Sequence, residues 1–306
     1  MNIQQFQYIL AVAENRHFET AAEKCFISQS TLSTMISRFE DELGVKIFDR
    51  KKKPVDITKE GKAVIEQLKT ITREIGQLNE LVKEIKGEIE GTLKIGCIPT
   101  VAPFLLPLFL QGFSKKFPGL SLEVKEDTTS EILKQLKSRE MDIGIVSTPL
   151  HDSELTEYPL YDEAFVLYDA SQLSPQKIAV EKMNLDNFWL LEEGHCMRSQ
   201  VLKICEKSKR AINPSQNIHF KAGSIDSLLR FVKANQGKTL LPYLSLSNFS
   251  EKEKEQVSFF KNPIPYRNIG LIFHKHFAKK KILHLLQKEI VEKIAPFKQS
   301  MKQGMK

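Results

Sequence analysis

Apolar residues recur at helical spacing in three successive segments near the N-terminus. The spacing predicts one helix over residues 3–14 and a second, short helix over residues 18–25. Ser28 is a good N-cap for a third helix, and Gly44 is placed to end it. Two short helices joined by a tight turn are typical of a helix-turn-helix. Residues 45–58 continue as strand, basic turn and strand, which predicts a wing beside the third helix.

The outward side of the third helix carries compact hydrogen-bonding side chains, which suit the reading of base edges in a major groove. These candidates are Gln29, Ser30, Thr31, Ser33 and Thr34. Arg38 lies further along the helix, where a phosphate contact is expected, and the predicted wing adds Arg50, Lys51, Lys52 and Lys53. Residues 46–62 hold seven basic and three acidic side chains, although a solvated loop would show the same composition. We therefore expect this module to bind double-stranded DNA.

A narrow apolar stripe follows, in a stretch without proline from residue 58 to about residue 90. Its members recur at spacings of four and three, as in a heptad seam. They are Val64, Leu68, Ile71, Ile75, Leu78, Val82, Ile85 and Ile89. A lone helix would leave this stripe in water, so we expect it to pair with the same helix of a second copy. The alternative is that the stripe packs on the chain's own domains.

The remainder of the chain alternates between strand and helix patterns, which is typical of an α/β domain with parallel strands. The predicted strands cover residues 92–98, 121–126, 142–146 and 269–273. The predicted helices cover residues 101–117, interrupted by Pro103 and Pro107, then 131–138 and a segment from about residue 280. The last strand and helix could return the chain to the first lobe of a two-lobed domain.

Three stretches of the N-terminal module carry a family pattern. They are AAEKCFISQSTLS at 21–33, FEDELG at 39–44 and TKEG at 58–61. Together they resemble the winged helix-turn-helix of LysR-type transcriptional regulators, apart from Ser30, where many members have proline. The resemblance implies a two-lobed, periplasmic-binding-protein-like (type 2) effector domain behind the linker helix. The implied domains are 1–58 for DNA binding, 59–90 for the dimerising helix and 91–306 for regulation, with lobe I at about 91–162 and 267–306 and lobe II at about 163–266.

Composition changes this interpretation little. The chain has 306 residues, 41% of them hydrophobic, and a formal net charge of +7. Residues 1–90 hold 14 basic against 15 acidic side chains, so bulk charge is a poor argument for DNA binding. No apolar run approaches the roughly 18 residues of a membrane helix. The N-terminal residues lack a signal-peptide pattern, and four cysteines then suggest a reducing cytoplasm.

Cys196 and Cys205 lie nine positions apart in a segment that reads as helix. On a straight helix that separation spans about 13.5 Å and places the thiols on opposite faces, whereas a disulfide needs Cα atoms closer than about 7 Å. The two thiols can bond only if the helix rearranges. His195, Arg198 and the helix N-terminus favour a thiolate at Cys196. Two unrelated cysteines, one of them a small buried hydrophobe, are the alternative; Cys25 and Cys97 are expected in cores.

Several stretches between residues 98 and 242 point to one group within the LysR-type family. The stretches that carry this are IPTV at 98–101, LLP at 105–107, LEEGHCMRSQ at 191–200 followed by Cys205, HFKA at 219–222 and LLP at 240–242. They resemble the peroxide-sensing OxyR group of the LysR-type regulators. The resemblance implies that Cys196 is the peroxidatic thiolate and Cys205 the resolving thiol. It also implies that Thr100 and Thr129 hold the peroxide, that His195 and Arg198 support the thiolate, and that Arg267 lies nearby.

We therefore predict a cytoplasmic, DNA-binding regulator that responds to hydrogen peroxide and uses no metal or cofactor. Its expected partners are an operator, RNA polymerase and further copies of itself, as a homodimer or a dimer of dimers, without a membrane. One alternative is a LysR-type regulator controlled by a small organic ligand, with idle cysteines. Another is an enzyme such as a thiol peroxidase. It is disfavoured because the sequence shows neither a glycine-rich cofactor loop nor a catalytic triad, and a helix-turn-helix has no role in an enzyme.

Overall fold

A computed structural model describes residues 1–208, 218 and 220–304 of the chain. The chain forms two compact units, of which the first covers Met1–Lys86 and the second begins at Gly87. His219, which belongs to one of the stretches that carry the resemblance, lies outside the described residues. Among the described residues, no helix is long and apolar enough to cross a membrane.

The first unit is a three-helix module with a small wing and a long final helix. Its elements are α1 (Ile3–Asn15), α2 (Phe18–Lys24), α3 (Gln29–Leu43), β1 (Phe48–Asp49), β2 (Asp56–Ile57) and α4 (Lys59–Lys86). The predicted caps are confirmed, because Ser28 accepts a hydrogen bond from the amide of Thr31 and Gly44 ends α3 at a φ of 69°. β1 and β2 pair antiparallel as the predicted wing.

The predicted seam on α4 divides into two parts, and α4 ends at Lys86 rather than near residue 90. Leu68 is only 3% exposed in the core of its own unit, and Ile71 packs partly buried against that core. Leu68 is therefore removed from the surface available to a second copy, as in the alternative interpretation. Leu78 and Ile85 are 60% and 76% exposed. Pairing of this exposed end with another copy stays a prediction.

The second unit is built on an eight-stranded sheet. Its strands are β3 (Gly91–Cys97), β4 (Leu120–Glu126), β5 (Ile143–Thr148), β6 (Leu155–Asp169), β7 (Lys177–Ile178), β8 (Lys238–Pro242), β9 (Val257–Phe260) and β10 (Tyr266–His274). Its helices are α5 (Ala102–Lys116), α6 (Thr129–Lys137), α7 (Cys196–Glu206), α8 (Ile225–Ala234), α9 (Glu251–Glu255) and α10 (Lys280–Gly304), with short 3₁₀ turns at Val180–Lys182 and Tyr243–Asn248.

The sheet order is β4-β3-β5-β10-β6-β9-β7, and β8 also pairs with β6. β3, β4 and β5 run parallel, whereas β10 is antiparallel to both of its neighbours. β6 is long enough to serve both lobes, since Tyr161 belongs to one hydrophobic cluster and Phe165 to the other. We call these the first-lobe cluster, which includes Ile95, Leu105, Ile145 and Leu286, and the second-lobe cluster, which includes Phe165, Val201, Leu228 and Leu240.

One expected interruption is absent, because α5 runs continuously from Ala102 to Lys116. Pro103 lies in its first turn, where a backbone amide has no partner within the helix in any case. Pro107 removes a single hydrogen bond from the interior, and buried side chains such as Leu105 and Phe109 hold both sides of it. The prediction of an interrupted helix was therefore wrong.

Candidate functional site

α7 lies between the two hydrophobic clusters and presents one cysteine to each. Cys196, its first residue, is partly buried and packs against the first-lobe cluster. Cys205 is 3% exposed and belongs to the second-lobe cluster together with Met197 and Val201. Both thiols are free. The two sulfur atoms are thus held on different faces of one helix, in two different cores.

The burial of Cys205 has a direct chemical consequence. Burial, with a smaller contribution from the carboxylate of Glu206, raises the pKa of the Cys205 thiol to about 12. At neutral pH this residue is a protonated thiol rather than a nucleophilic thiolate. Cys97, in the first-lobe cluster, and Cys25, partly buried against the core of the first unit, also have pKa values raised by burial. Both match the expectation that they serve packing.

Arg267 lies in a buried polar cluster and is 3% exposed. Its side chain, on β10, donates from Nε to Glu163 Oε2 at 2.8 Å and from Nη1 to Thr100 Oγ1 at 2.9 Å. A third hydrogen bond runs from Nη2 to the carbonyl oxygen of Thr100 at 3.1 Å. The other oxygen of Glu163 accepts from the amide of Leu244 at 3.0 Å. The guanidinium is therefore buried, charge-compensated and fixed in position.

The electrostatics connect this cluster with the cysteine. Burial tends to lower the pKa of Arg267, but electrostatic interactions, led by that with the carboxylate of Glu163 and including one with Cys196, outweigh it, so that the pKa of the guanidinium is raised. Cys196 thus lies within the field of a permanently positive group. From the sequence, Thr100, Arg267 and Cys196 were predicted to share one site only through the family resemblance, and Glu163 was not predicted. A buried arginine requires a buried anion as its partner. The sequence holds many carboxylates, however, and nothing in it singles out Glu163 as that anion.

Thr129 occupies the start of α6, but it is not the N-cap. Thr128 takes that role, because its Oγ1 accepts from the amide of Glu131. Thr129 Oγ1 is buried and has no hydrogen-bond partner among the described residues. β3 and β4 are parallel neighbours, so Thr100 and Thr129 both follow carboxyl ends of adjacent strands, where α/β sheets commonly bind ligands.

His195 and Arg198 flank Cys196 in the sequence, and each makes a contact of its own. His195 is the N-cap residue of α7 but caps no amide with its ring, whose Nε2 lies 3.9 Å from Glu192 Oε1. Arg198 Nη1 donates to the carbonyl oxygen of Leu191 at 2.6 Å. This contact fastens the beginning of α7 to the preceding segment. Support of the thiolate by His195 and Arg198 stays a prediction.

A hydrogen bond between the lobes was not foreseen. Gln200 Nε2, on α7, donates to Ser147 Oγ at the end of β5 at 2.7 Å. Ser147 Oγ in turn donates to the carbonyl oxygen of Asn268 on β10 at 3.1 Å. Gln200 lies four residues after Cys196, so that both point to the same side of the helix. That spacing was readable in the sequence, but the serine partner was not.

In the first unit, most predicted base-reading side chains are solvent-exposed. Gln29, Ser30, Thr31, Thr34 and Arg38 are exposed, and Ser33 is half-buried. The hydroxyl groups of Ser30 and Thr31 also contact the N-cap oxygen of Ser28, at 3.0 and 2.8 Å.

The basic side chains of the wing differ in their contacts within the protein. Lys51 and Lys53 are exposed, whereas Lys52 Nζ pairs with Asp56 at 3.0 Å. Arg50 donates to Ser33 Oγ at 2.8 Å and lies 4.9 Å from the ring centre of Phe18. Arg50 therefore fastens the wing to the helix-turn-helix, and its contact with a phosphate stays a prediction.

Glu40 is a structural residue that the sequence did not single out. Its carboxylate is almost fully buried and accepts from the amides of Ile47 and Phe48, at 2.7 and 3.2 Å. Arg50 Nη2 reaches the other carboxylate oxygen at 3.4 Å. One side chain of α3 thereby sets the position of the whole wing.

Comparisons with known proteins cover nearly the whole chain. Residues 3–62 match the family model described as bacterial regulatory helix-turn-helix protein, lysR family, and residues 86–292 match LysR substrate binding domain. A hydrogen peroxide-inducible genes activator of Pectobacterium carotovorum subsp. carotovorum is 35% identical over 89% of this chain and 90% of the relative. The DNA-binding transcriptional dual regulator OxyR of Escherichia coli (strain K12) is 34% identical over 89% of each chain. A full-length OxyR variant of Pseudomonas aeruginosa has a TM-score of 0.71 and 28% identity over 95% of this chain and 94% of that one.

Proposed function

The chain belongs to the LysR family of bacterial transcription regulators, and we propose that it is a member that responds to hydrogen peroxide. Cys196 is the peroxidatic thiol and Cys205 the resolving thiol in this proposal. The observation that carries it is the placement of α7, with Cys196 packed against the first-lobe cluster and in electrostatic interaction with Arg267, and with Cys205 buried in the second-lobe cluster. Relatives named as hydrogen peroxide-inducible activators support the same function.

The chemistry proceeds in two balanced steps. The thiolate of Cys196 attacks one peroxide oxygen; an S–O bond forms, the O–O bond breaks, and the departing hydroxide takes a proton to become water. Cys196 is now a sulfenic acid. The sulfur of Cys205 then attacks it; an S–S bond forms, the S–O bond breaks, and the hydroxyl leaves as water with the thiol proton. The dithiol loses two electrons, and one peroxide becomes two waters.

Several groups are arranged to assist the first step. Arg267 stabilises negative charge at the sulfur and at the departing oxygen. Thr100 Oγ1 accepts from Arg267, and because a hydroxyl has one donor, its proton is left to hold a peroxide oxygen. Thr129 brings a buried hydroxyl without a partner among the described residues, which suits a second contact. His195, at the N-cap of α7, and Arg198, in its first turn, complete the proposed set.

The second step requires a change of structure. Nine residues of helix span about 13.5 Å, and a disulfide needs Cα atoms within about 7 Å, so part of α7 must unwind. Unwinding also brings Cys205 out of the second-lobe cluster, which removes the burial that keeps it protonated. The rearranged helix then changes the surface of the regulatory unit and its contacts with other copies. In this proposal the protein acts in the cytoplasm on operator DNA and RNA polymerase, as a homodimer or a dimer of dimers.

The test is to treat the reduced protein with a slight excess of hydrogen peroxide and map its cysteines by non-reducing peptide mass spectrometry. We expect a Cys196–Cys205 disulfide that a dithiol reverses. Cys205→Ser should stop at a sulfenic acid or a mixed disulfide, and Cys25→Ser is the matched control that should behave as the parent. Unmodified Cys196 at micromolar peroxide would contradict the proposal and favour a regulator controlled by a small organic ligand.

A further inference from the structure

The two faces of α7 make different kinds of contact. Met197, Val201 and Cys205 are buried in the second-lobe cluster. Cys196 packs against the first-lobe cluster, and Gln200, one turn later, makes the hydrogen bond to Ser147 of that lobe. Apolar packing therefore ties α7 to the second lobe, whereas Cys196 and Gln200 tie it to the first.

The hydrogen bond is partly shielded from water. Ser147 is 5% exposed, and the amide oxygen of Gln200 is buried without a partner among the described residues. A hydrogen bond in such surroundings competes little with solvent, so its loss leaves polar groups unsatisfied. Ser147 also donates to the carbonyl oxygen of Asn268, the neighbour of Arg267 on β10, and Arg267 interacts electrostatically with Cys196.

We propose that Gln200 and Ser147 are positioning residues for the chemistry of Cys196. Their hydrogen bond holds the first turns of α7 against the first lobe in the reduced protein, which keeps Cys196 beside Arg267. The same bond breaks when α7 unwinds, so it opposes the formation of the disulfide. This inference rests on the proposed Cys196–Cys205 switch and adds the element that sets how readily the switch operates.

Two effects of opposite sign follow from removing the bond. The first step slows, by roughly threefold or more, because Cys196 is held less firmly beside Arg267. The completed disulfide becomes more favourable, because only the reduced state loses an interaction. One net hydrogen bond corresponds to about a fivefold shift in the dithiol–disulfide equilibrium. Such a shift lowers the midpoint potential by about 20 mV.

The variants are Gln200→Met, Ser147→Ala and their combination. Methionine matches glutamine in length and in helix propensity, so the first change removes only the amide. Lys203→Met, an exposed position on the same helix, is the matched control for a methionine in α7. Each full-length protein is equilibrated in glutathione buffers to obtain the dithiol–disulfide constant. The rate of the first step is measured separately in a Cys205→Ser background.

We expect each single variant to favour the disulfide about fivefold, and the pair to shift it no further than one variant alone, because both remove the same bond. The thermal unfolding temperature should be lowered in the reduced form only. Equal destabilisation of both redox forms, with an unchanged constant, would overturn the inference and leave a merely structural contact. If the parent itself forms no disulfide, the proposed function falls as well, so the two failures are distinguishable.

Discussion

The buried pair of Arg267 and Glu163 offers a way to separate stability from reactivity. Arg267→Met removes the guanidinium from the carboxylate of Glu163, whose side chain is 4% exposed. Among the described residues, the amide of Leu244 is then the hydrogen-bond donor left to that carboxylate. Breaking a buried ion pair from one side costs about 3–5 kcal/mol, because a charge is left without compensation. The free energy of unfolding should fall by that amount. Reaction of Cys196 with peroxide should slow roughly tenfold or more, since a fixed positive charge is lost.

The double variant Arg267→Met with Glu163→Gln removes both charges. Its free energy of unfolding should recover to within about 1–2 kcal/mol of the parent, because neutral replacements of a buried pair are often tolerated. Reactivity should not recover, because the positive charge beside Cys196 is still missing. Arg198→Met is the matched control: its guanidinium contacts the carbonyl of Leu191, so it should slow Cys196 less than Arg267→Met does.

Unfolding is followed in urea, and the formation of sulfenic acid at Cys196 is followed by rapid quenching and mass spectrometry in a Cys205→Ser background. In the double variant, stability should recover whereas the reactivity of Cys196 should not. If the free energy of unfolding and the rate of sulfenic acid formation both recover in the double variant, Arg267 acts only by stabilising the fold. If Arg267→Met is as stable as the parent, the pair contributes far less than its burial implies.

Two further predictions address α4 and the resolving thiol. Leu78→Lys should weaken self-association, measured by analytical sedimentation, without lowering thermal stability. Leu68→Ala should instead cost about 2–5 kcal/mol of folding free energy and leave the exposed part of the seam intact. Full self-association of Leu78→Lys would contradict the pairing of two α4 helices through this seam. Cys205 has a pKa near 12 when folded against 9.0 as its reference, so the unfolded state loses this proton first and stability declines as the pH rises above 9. Between pH 9 and 10 the free energy of unfolding should fall less steeply in Cys205→Ser than in the parent, by up to about 1.4 kcal/mol per pH unit. Equal slopes in the two proteins, measured by urea unfolding, would show that the Cys205 thiol does not have a raised pKa in the folded state.

Features that depend on neighbouring residues were predictable from the sequence. Ser28 and Gly44 bound α3 as expected, because capping involves residues only a few positions away. The nine-residue separation of Cys196 and Cys205 placed them on opposite faces for the same reason, since the helical repeat is local. The LysR family was likewise evident from contiguous stretches of the N-terminal module, and the comparisons bear it out.

Partners far apart in the chain could not be assigned. Arg267 and Glu163 are separated by 104 positions, and Gln200 and Ser147 by 53, so nothing local selects one acceptor over another. The stripe on α4 shows the same limit within a single element. Leu68 and Leu78 lie on the same apolar seam, yet Leu68 is buried in the core of its own unit whereas Leu78 is exposed. A periodic pattern identifies the apolar side of a helix but not what covers it.

The position of α7 also bears on why the proposed switch would be reversible. Unwinding this helix exposes side chains that are buried in the second-lobe cluster, among them Val201 and Ile204. Each such side chain costs about 1.5–3 kcal/mol to return to water. The disulfide therefore forms against the packing of the reduced state, and its reduction restores that packing. A disulfide opposed in this way has a higher reduction potential than a structural one, so cellular thiols can reset it. The same packing that delays oxidation thus makes the oxidised state temporary.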